Sequence, residues 1–231
     1  MRYLYESVTL EGFIQQLACN YLPHGYHHFF LGKVPVGKDP KALDAKLLEL
    51  YGIAVSPSQR ARRKRAGFAN LHYLRFDRDF LFLSTEGKHR FFEDHRELIR
   101  DARKVPIRVG GYSVRLARGG FLRRVNADEP AVPDGKSRVR VQIEKTRYTE
   151  MKAYLLEMAT RWPVEELEIA FRGIPFEPYA PVRVQLVNLL RWVNRARKAQ
   201  GLPEVPKSVI RYQRRIVKPF ELLPPSASRA A

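Results

Sequence analysis

Residues 68–85 read FANLHYLRFDRDFLFLST, and the fold class turns on how that stretch divides. Phe68–Phe76 and Phe80–Thr85 are rich in aromatic and aliphatic side chains, and the polar residues Asp77-Arg78-Asp79 separate them. Such side chains suit a half-buried pleated surface, and a short polar break joins two antiparallel neighbours. The stretch is therefore expected to form a hairpin of two strands. Alternation along the first strand puts Tyr73 and Arg75 on one face and His72, Leu74 and Phe76 on the other. One of those faces must be core.

Upstream of the hairpin, Thr9 or Ser7 is placed to cap a first helix running to about Tyr21, and His27–Val34 reads as a strand stopped by Pro35-Val36-Gly37. Asp39 followed by Pro40 is a helix start, and Ala42, Leu43, Leu47, Leu48 and Tyr51 give that helix an apolar face before Gly52. Downstream, a helix is expected over Arg90–Arg103. Val105–Val109 and Tyr112–Ala117 then pair across Gly110-Gly111, a dipeptide suited to a tight hairpin turn.

Residues 119–137 read as a loop, Ser137–Lys145 as a strand, and 147–161, 164–172 and 180–199 as helices. Gly173-Ile174-Pro175 and Glu177-Pro178 separate the last two. Strands and helices in this order predict an α+β fold: a mainly antiparallel sheet with β-α-β-β elements and a helical C-terminal part. The loop suggests two parts, 1–125 and 126–231. Layouts of this kind carry RNA-recognition modules and rolling-circle nucleases alike, so the fold does not choose a function.

The composition is 45% hydrophobic and 29% charged over 231 residues, which predicts a folded chain with room for a real core. Its formal net charge of +18 is the unusual quantity, because a field of that sign draws polyanions. The charge is unevenly spread. Residues 1–59 are neutral overall, residues 60–125 carry a net +11, residues 126–179 a net −2, and residues 180–231 a net +9. The single cysteine, Cys19, suits a reducing compartment. With no signal peptide at the start and no window of about 18 apolar residues, a soluble cytoplasmic protein is expected, with no membrane partner.

The densest charge lies in Gln59-Arg60-Ala61-Arg62-Arg63-Lys64-Arg65-Ala66-Gly67, where Ser58 is placed to cap a short helix and Gly67 to end it. Like charges this close repel one another unless phosphates neutralise them, so Arg60, Arg62, Arg63, Lys64 and Arg65 are the first candidate contacts. Tyr73 and Arg75 on the neighbouring strand extend that set, Tyr73 or His72 as a platform for an unpaired base.

In the second basic block, Val182, Leu186, Leu189, Leu190 and Val193 recur at helical spacing and should face the core. Asn188, Arg191, Arg195 and Lys198 follow the opposite rhythm as a polar stripe able to meet a groove or a backbone. Cations at a helix C-terminus also complement its dipole, the plainer reading of Arg195, Arg197 and Lys198. Beyond them, Ser208–Pro219 reads as a strand bearing Arg211 and Arg215 on one face and Arg214 on the other, or simply as a charged edge that resists aggregation.

Chemistry is harder to find. His24, His27 and His28 lie close together, but His27 and His28 point to opposite faces of a strand and do not form a metal-binding pair there. A metal-dependent nuclease or strand transferase of a mobile-element type would need His24, His27 or His28 to cluster with a carboxylate or with Tyr148 or Tyr154, and would take a divalent ion. Asp79 and Glu86-Gly87-Lys88 bound one expected strand, and about 20 Å of extended chain between the carboxylates is too much for one ion. The acids Glu93, Asp94 and Glu97, and likewise Glu165, Glu166 and Glu168, sit where helix first turns favour them. There is no glycine-rich phosphate loop, paired-cysteine zinc site or Gly-x-Ser-x-Gly elbow.

The expectation is a nucleic-acid-binding protein with two arginine-rich surfaces and no cofactor. DNA stands ahead of RNA because a basic helix suits a major groove. A nuclease and a basic subunit of a larger nucleoprotein complex are the alternatives.

Overall fold

Thr9 opens the first helix, its hydroxyl accepting from the Gly12 amide at 3.0 Å. The structure, a computed structural model, describes residues 3–119, 122–124, 130–174, 179–210 and 217–220. The chain falls into two units. The first is Met1–Ile107, Val114–Val139 and Val217–Ala231, and the second is Arg108–Ser113 and Arg140–Ile216. The boundary expected at 125/126 falls at residues outside those described.

In the first unit, β1 (Glu6–Ser7) precedes α1 (Leu10–Gln15), β2 (His28–Lys33), α2 (Pro40–Leu50), α3 (Pro57–Arg65), β3 (Leu71–Phe76), β4 (Asp79–Ser84), α4 (Arg90–Asp94) and β5 (Arg100–Asp101). The sheet order is β1-β3-β4-β2-β5. Only β1 and β3 run parallel; β3, β4, β2 and β5 pair antiparallel. The fold is α+β with a mainly antiparallel sheet, as the hairpin implied. Phe76 faces Asp79 in the register, so Asp77-Arg78 is the turn, and Asp77 takes the left-handed φ of 52° that aspartate tolerates.

Both faces of the hairpin are covered. Leu71, Tyr73, Phe80 and Phe82 join Val34, Tyr51 and Phe91 in one core cluster, against which Leu43, Leu47 and Leu48 of α2 pack. Leu74, Leu81 and Leu83 on the opposite face are equally buried. Asp39 caps α2 by accepting from the Lys41 and Ala42 amides, and one turn on Asp44 lies fully buried. Arg75 answers it, donating from Nε to Oδ2 at 2.8 Å while Tyr73 donates its hydroxyl to Oδ1 at 2.6 Å. The same guanidinium reaches Glu6 at 2.8 Å and the Asp77 carbonyl at 2.6 Å, tying β1, α2 and the turn together. Tyr73 and Arg75, expected at the ligand surface, are therefore core residues.

Two helices differ from expectation. α1 stops at Gln15 and continues as a π-helical segment, Gln16–Tyr21, then a 3-10 turn, Leu22–His24. The helix expected over Arg90–Arg103 ends at Asp94, because tertiary contacts override propensity there. His95 stacks on Phe30 and sits 2.9 Å from the Tyr51 hydroxyl, and Arg100–Asp101 pairs with β2 instead.

Next along the chain come β6 (Ile107–Val109), β7 (Tyr112–Arg118), β8 (Leu122–Arg123), β9 (Val132–Pro133) and β10 (Ser137–Ile143). The order β10-β7-β6 forms a second sheet. Gly110 and Gly111 both have positive φ, 55° and 79°, which a two-residue hairpin of this twist requires.

The second unit is then helical: α5 (Lys145–Met158), α6 (Val164–Arg172) and α7 (Ala180–Ala199). α7 buries Val182, Leu186, Leu189, Leu190 and Val193, the stripe its spacing demands. Gln185 holds both backbone groups of Ile143, at 2.8 and 3.0 Å, and Asn194 both of Val205, at 2.9 Å each. Among the described residues no helix is long and apolar enough to cross a membrane.

Candidate nucleic-acid interface

The sequence Ser56-Pro57-Ser58-Gln59 starts α3 two residues earlier than expected. Ser56 accepts from the Gln59 amide at 3.2 Å, and the Gln59 side chain accepts from the Ser56 amide at 2.8 Å. This reciprocal box, with Pro57 at the first helical position, outcompetes Ser58 as the cap. No residue of α3 is buried, so no apolar stripe holds the helix to its unit.

Two of its own arginines do that instead. Arg60 donates to the Leu71 and Ile53 carbonyls, both at 2.7 Å, and its own carbonyl accepts from Asn70 at 3.0 Å. Arg63, one turn on, donates to the Gly52 carbonyl at 3.0 Å. The five cations of the run thus split. Arg60 and Arg63 clip the helix down, while Arg62, Lys64 and Arg65 stand exposed and, among the described residues, their side chains take part in no hydrogen bond or ion pair.

Beyond α3 the chain meets a segment twenty residues later. Phe68 and Lys88 form an isolated parallel bridge, with the Lys88 amide donating to Gly67 at 3.0 Å and the Ala69 amide donating to Lys88 at 3.1 Å. Gly87 makes that approach possible. Its φ is 130°, and a Cβ there would sit 2.6 Å from the Ala69 nitrogen and 2.7 Å from the Phe68 carbonyl carbon. Phe68 remains 50% exposed on the rim of an open groove of about 450 Å³ lined by Leu50, Tyr51, Lys88, His89, Arg90 and Glu93.

Three large aromatics are exposed among the described residues, Phe68, Tyr154 and Trp192. Phe68 stands between the α3 cations and Lys88 in sequence and in pairing. Sequence reasoning counted it as a strand aromatic and dismissed Lys88 as a turn residue. The one local signal that would have joined them is Gly87 itself.

His89 accepts the Phe91 amide at Nδ1, and burial, then the nearby Arg63 charge, pushes its pKa down. Burial, reinforced by the Asp94 carboxylate 3.2 Å away, pushes the Tyr51 hydroxyl up. Deeper in the unit, His72 lies against the rings of Tyr21 and Tyr26, at centroid distances of 4.5 and 4.7 Å. The Tyr3 hydroxyl donates to the Tyr73 carbonyl at 3.1 Å and accepts from the Tyr73 amide, so His72 Nδ1, 3.0 Å away, is its second donor. Burial, with a smaller push from Arg60, takes His72 down to about 3. Neither Tyr73 nor His72 is a platform for a base.

On α7 the expected stripe is largely outward. Arg191, Arg195 and Lys198 are exposed, and Arg191 also donates to Asn188 at 3.3 Å. They border a groove of about 740 Å³ whose walls include Val187, Leu190, Lys207 and Ile210, with Glu204 its one acid among the described residues. Arg197, expected only to complement the dipole, is 2% exposed and spans the carbonyls of Pro203, Ala159 and Trp162 at 2.5–2.8 Å. Arg211, Arg214 and Arg215 lie outside the described residues.

The residues considered for catalysis divide between the two units. His24 is exposed, with Nδ1 3.0 Å from the Asn20 carbonyl, and His28 on β2 meets the Phe92 ring edge-on at 5.5 Å. Tyr154 belongs to α5 of the second unit and packs edge-on against Trp162 at 5.7 Å. Asp79 faces Lys33 at 3.9 Å, and Glu86 faces Arg103 at 3.1 Å. Among the described residues no three His, Cys, Asp or Glu side chains form a group able to hold a metal. Compared with known proteins, the chain matches no family model and no curated protein sequence.

Proposed function

We propose that the protein binds nucleic acid, with DNA ahead of RNA, and grips phosphates through two cationic surfaces. One is Arg62, Lys64 and Arg65 on α3, continued by Lys88 and the exposed Phe68. The other is Arg191, Arg195 and Lys198 on α7. The observation that carries the reading is α3 itself, a helix with no buried residue that presents three exposed cations whose side chains make no ion pair among the described residues. Like charges at this spacing cost a few tenths of a kcal/mol per pair, and a single glutamate in the run would relieve them. Phosphate oxygens relieve them from outside, with release of counterions. Cys19, a single exposed thiol, suits the reducing cytoplasm, where such a polymer would be met.

The test is anisotropy of labelled single-stranded DNA, duplex DNA and RNA over a salt series. Affinity should fall with a log–log slope of about −0.9 per neutralised phosphate on duplex DNA. R62A/K64A/R65A should flatten that slope by roughly two to three units on the same rule. An unchanged slope removes α3 from the interface, and no binding to any polymer at low salt ends the proposal.

A further inference from the structure

α7 carries a side chain that neither the core nor the cationic stripe accounts for. Trp192 is 42% exposed, one position round the helix from Arg191 and three before Arg195. Its indole is held between cations: Lys152 Nζ of α5 lies 4.0 Å from the ring centroid and Arg195 Cζ 5.6 Å. Among the described residues the side chains of Lys152 and Arg195 make no hydrogen bond or ion pair. The acids of α5 point their charge elsewhere, Glu150 to Arg147 at 3.8 Å and Glu157 to Arg161 at 2.9 Å. The result is a flat electron-rich ring flanked by Lys152 and Arg195, neither of which pairs with a carboxylate among the described residues.

We propose that this face of α5 and α7 is a stacking platform for an unpaired nucleic-acid strand, with a base on Trp192 and the flanking phosphates on Lys152, Arg191 and Arg195. The inference rests on the nucleic-acid reading above and adds the strand type. A duplex keeps its bases stacked inside and offers an indole nothing to lie on, whereas every unpaired base has a free face. A packing role would hide the ring, and an acidic protein partner would engage the cations and leave the indole idle. Stacking is worth more than an exposed cation–π contact, so a base can displace Lys152 from the ring, and the freed ammonium then meets the adjoining phosphate.

The 231-residue sequence has two tryptophans, Trp162 and Trp192, so its W162F variant reports on Trp192 alone. It is titrated at low salt with oligo(dT), oligo(rU), a duplex DNA of equal length and poly-glutamate. The single strands should quench Trp192 emission, with the stronger of the DNA and RNA arms naming the source, and duplex and poly-glutamate should not. In anisotropy, W192A should lower single-strand affinity about 5- to 100-fold while duplex affinity stays within about twofold, the range a single stacking contact supports. W192F, which keeps an aromatic face, should recover most of the loss and guards against a folding artefact.

Unchanged single-strand affinity in W192A, or equal quenching by duplex or poly-glutamate, overturns the proposal. If strands bind with a salt slope carried by α3 while Trp192 stays silent, only the platform fails. If no nucleic acid binds at all, the reading beneath it fails as well.

Discussion

α3 and α7 are both arginine-rich helices, yet they are held by opposite means. α7 buries an apolar stripe of five side chains, and its cations occupy the face left over. α3 has no such stripe, and its place is fixed by Arg60 and Arg63 reaching down to carbonyls at Gly52, Ile53 and Leu71. On α7, Arg197 turns inward as a bonus to packing that already exists; on α3 the inward arginines are the packing. Arginine count therefore says little about how much charge a helix offers a ligand. The number free of carbonyl partners is what matters.

If that contrast is right, the largest stability loss should come from Arg197→Ala. It strands three carbonyls and empties a buried site, so about 3–5 kcal/mol should be lost in urea unfolding. A loss under about 1 kcal/mol would mean the apolar stripe of α7 suffices alone.

Arg60→Ala should cost about 1–3 kcal/mol and deprotect the amides of residues 56–66 in hydrogen exchange, while Arg62→Ala leaves both unchanged. Equal behaviour of the two variants would erase the division between inward and outward cations.

A third expectation concerns pH. His72 sits at about 3 in the fold against an ordinary value of 6.5, so the unfolded chain takes the proton first. Its stability contribution is complete above about pH 6.5 and is lost as pH falls toward 3, by at most about 1.4 kcal/mol per pH unit. His72→Phe should flatten the stability profile between those limits. Because the Arg60 charge supplies part of the shift, Arg60→Ala should leave the onset near pH 6.5 and end the loss at a higher pH.

The smallest effect belongs to R62A/K64A/R65A. Its stability should change by only a few tenths of a kcal/mol, in the stabilising direction through relief of like-charge repulsion. A loss above about 1 kcal/mol would show that these three side chains also hold the helix.

The sheet and the long helices were legible because each depends on periodicity. The hairpin at Asp77-Arg78, the cap at Asp39 and the buried face of α7 are local patterns. What was not legible depended on choosing between two outcomes that a period allows equally. Alternation put Tyr73 and Arg75 on one face of β3, but only the burial of Asp44 on α2 decides that this face is core. Arg60 and Arg65 look alike in a basic run, and the carbonyls that distinguish them arrive from residues 52, 53 and 71. Helix propensity carried α4 too far, because the pairing of Arg100–Asp101 with β2 is a long-range event. Phe68 and Lys88 meet through a backbone crossing at Gly87, which no period announces.

The guanidinium clips on α3 have a kinetic corollary. A basic helix that formed only on contact would lose ordering entropy at every encounter and show the large negative heat capacity of coupled folding. α3 is boxed at Ser56 and pinned at Arg60 and Arg63 before any ligand arrives, so its free cations are preorganised. Association through this helix should then be limited by diffusion in the protein's field, fast and steeply slowed by salt, with dissociation setting how long a complex lasts.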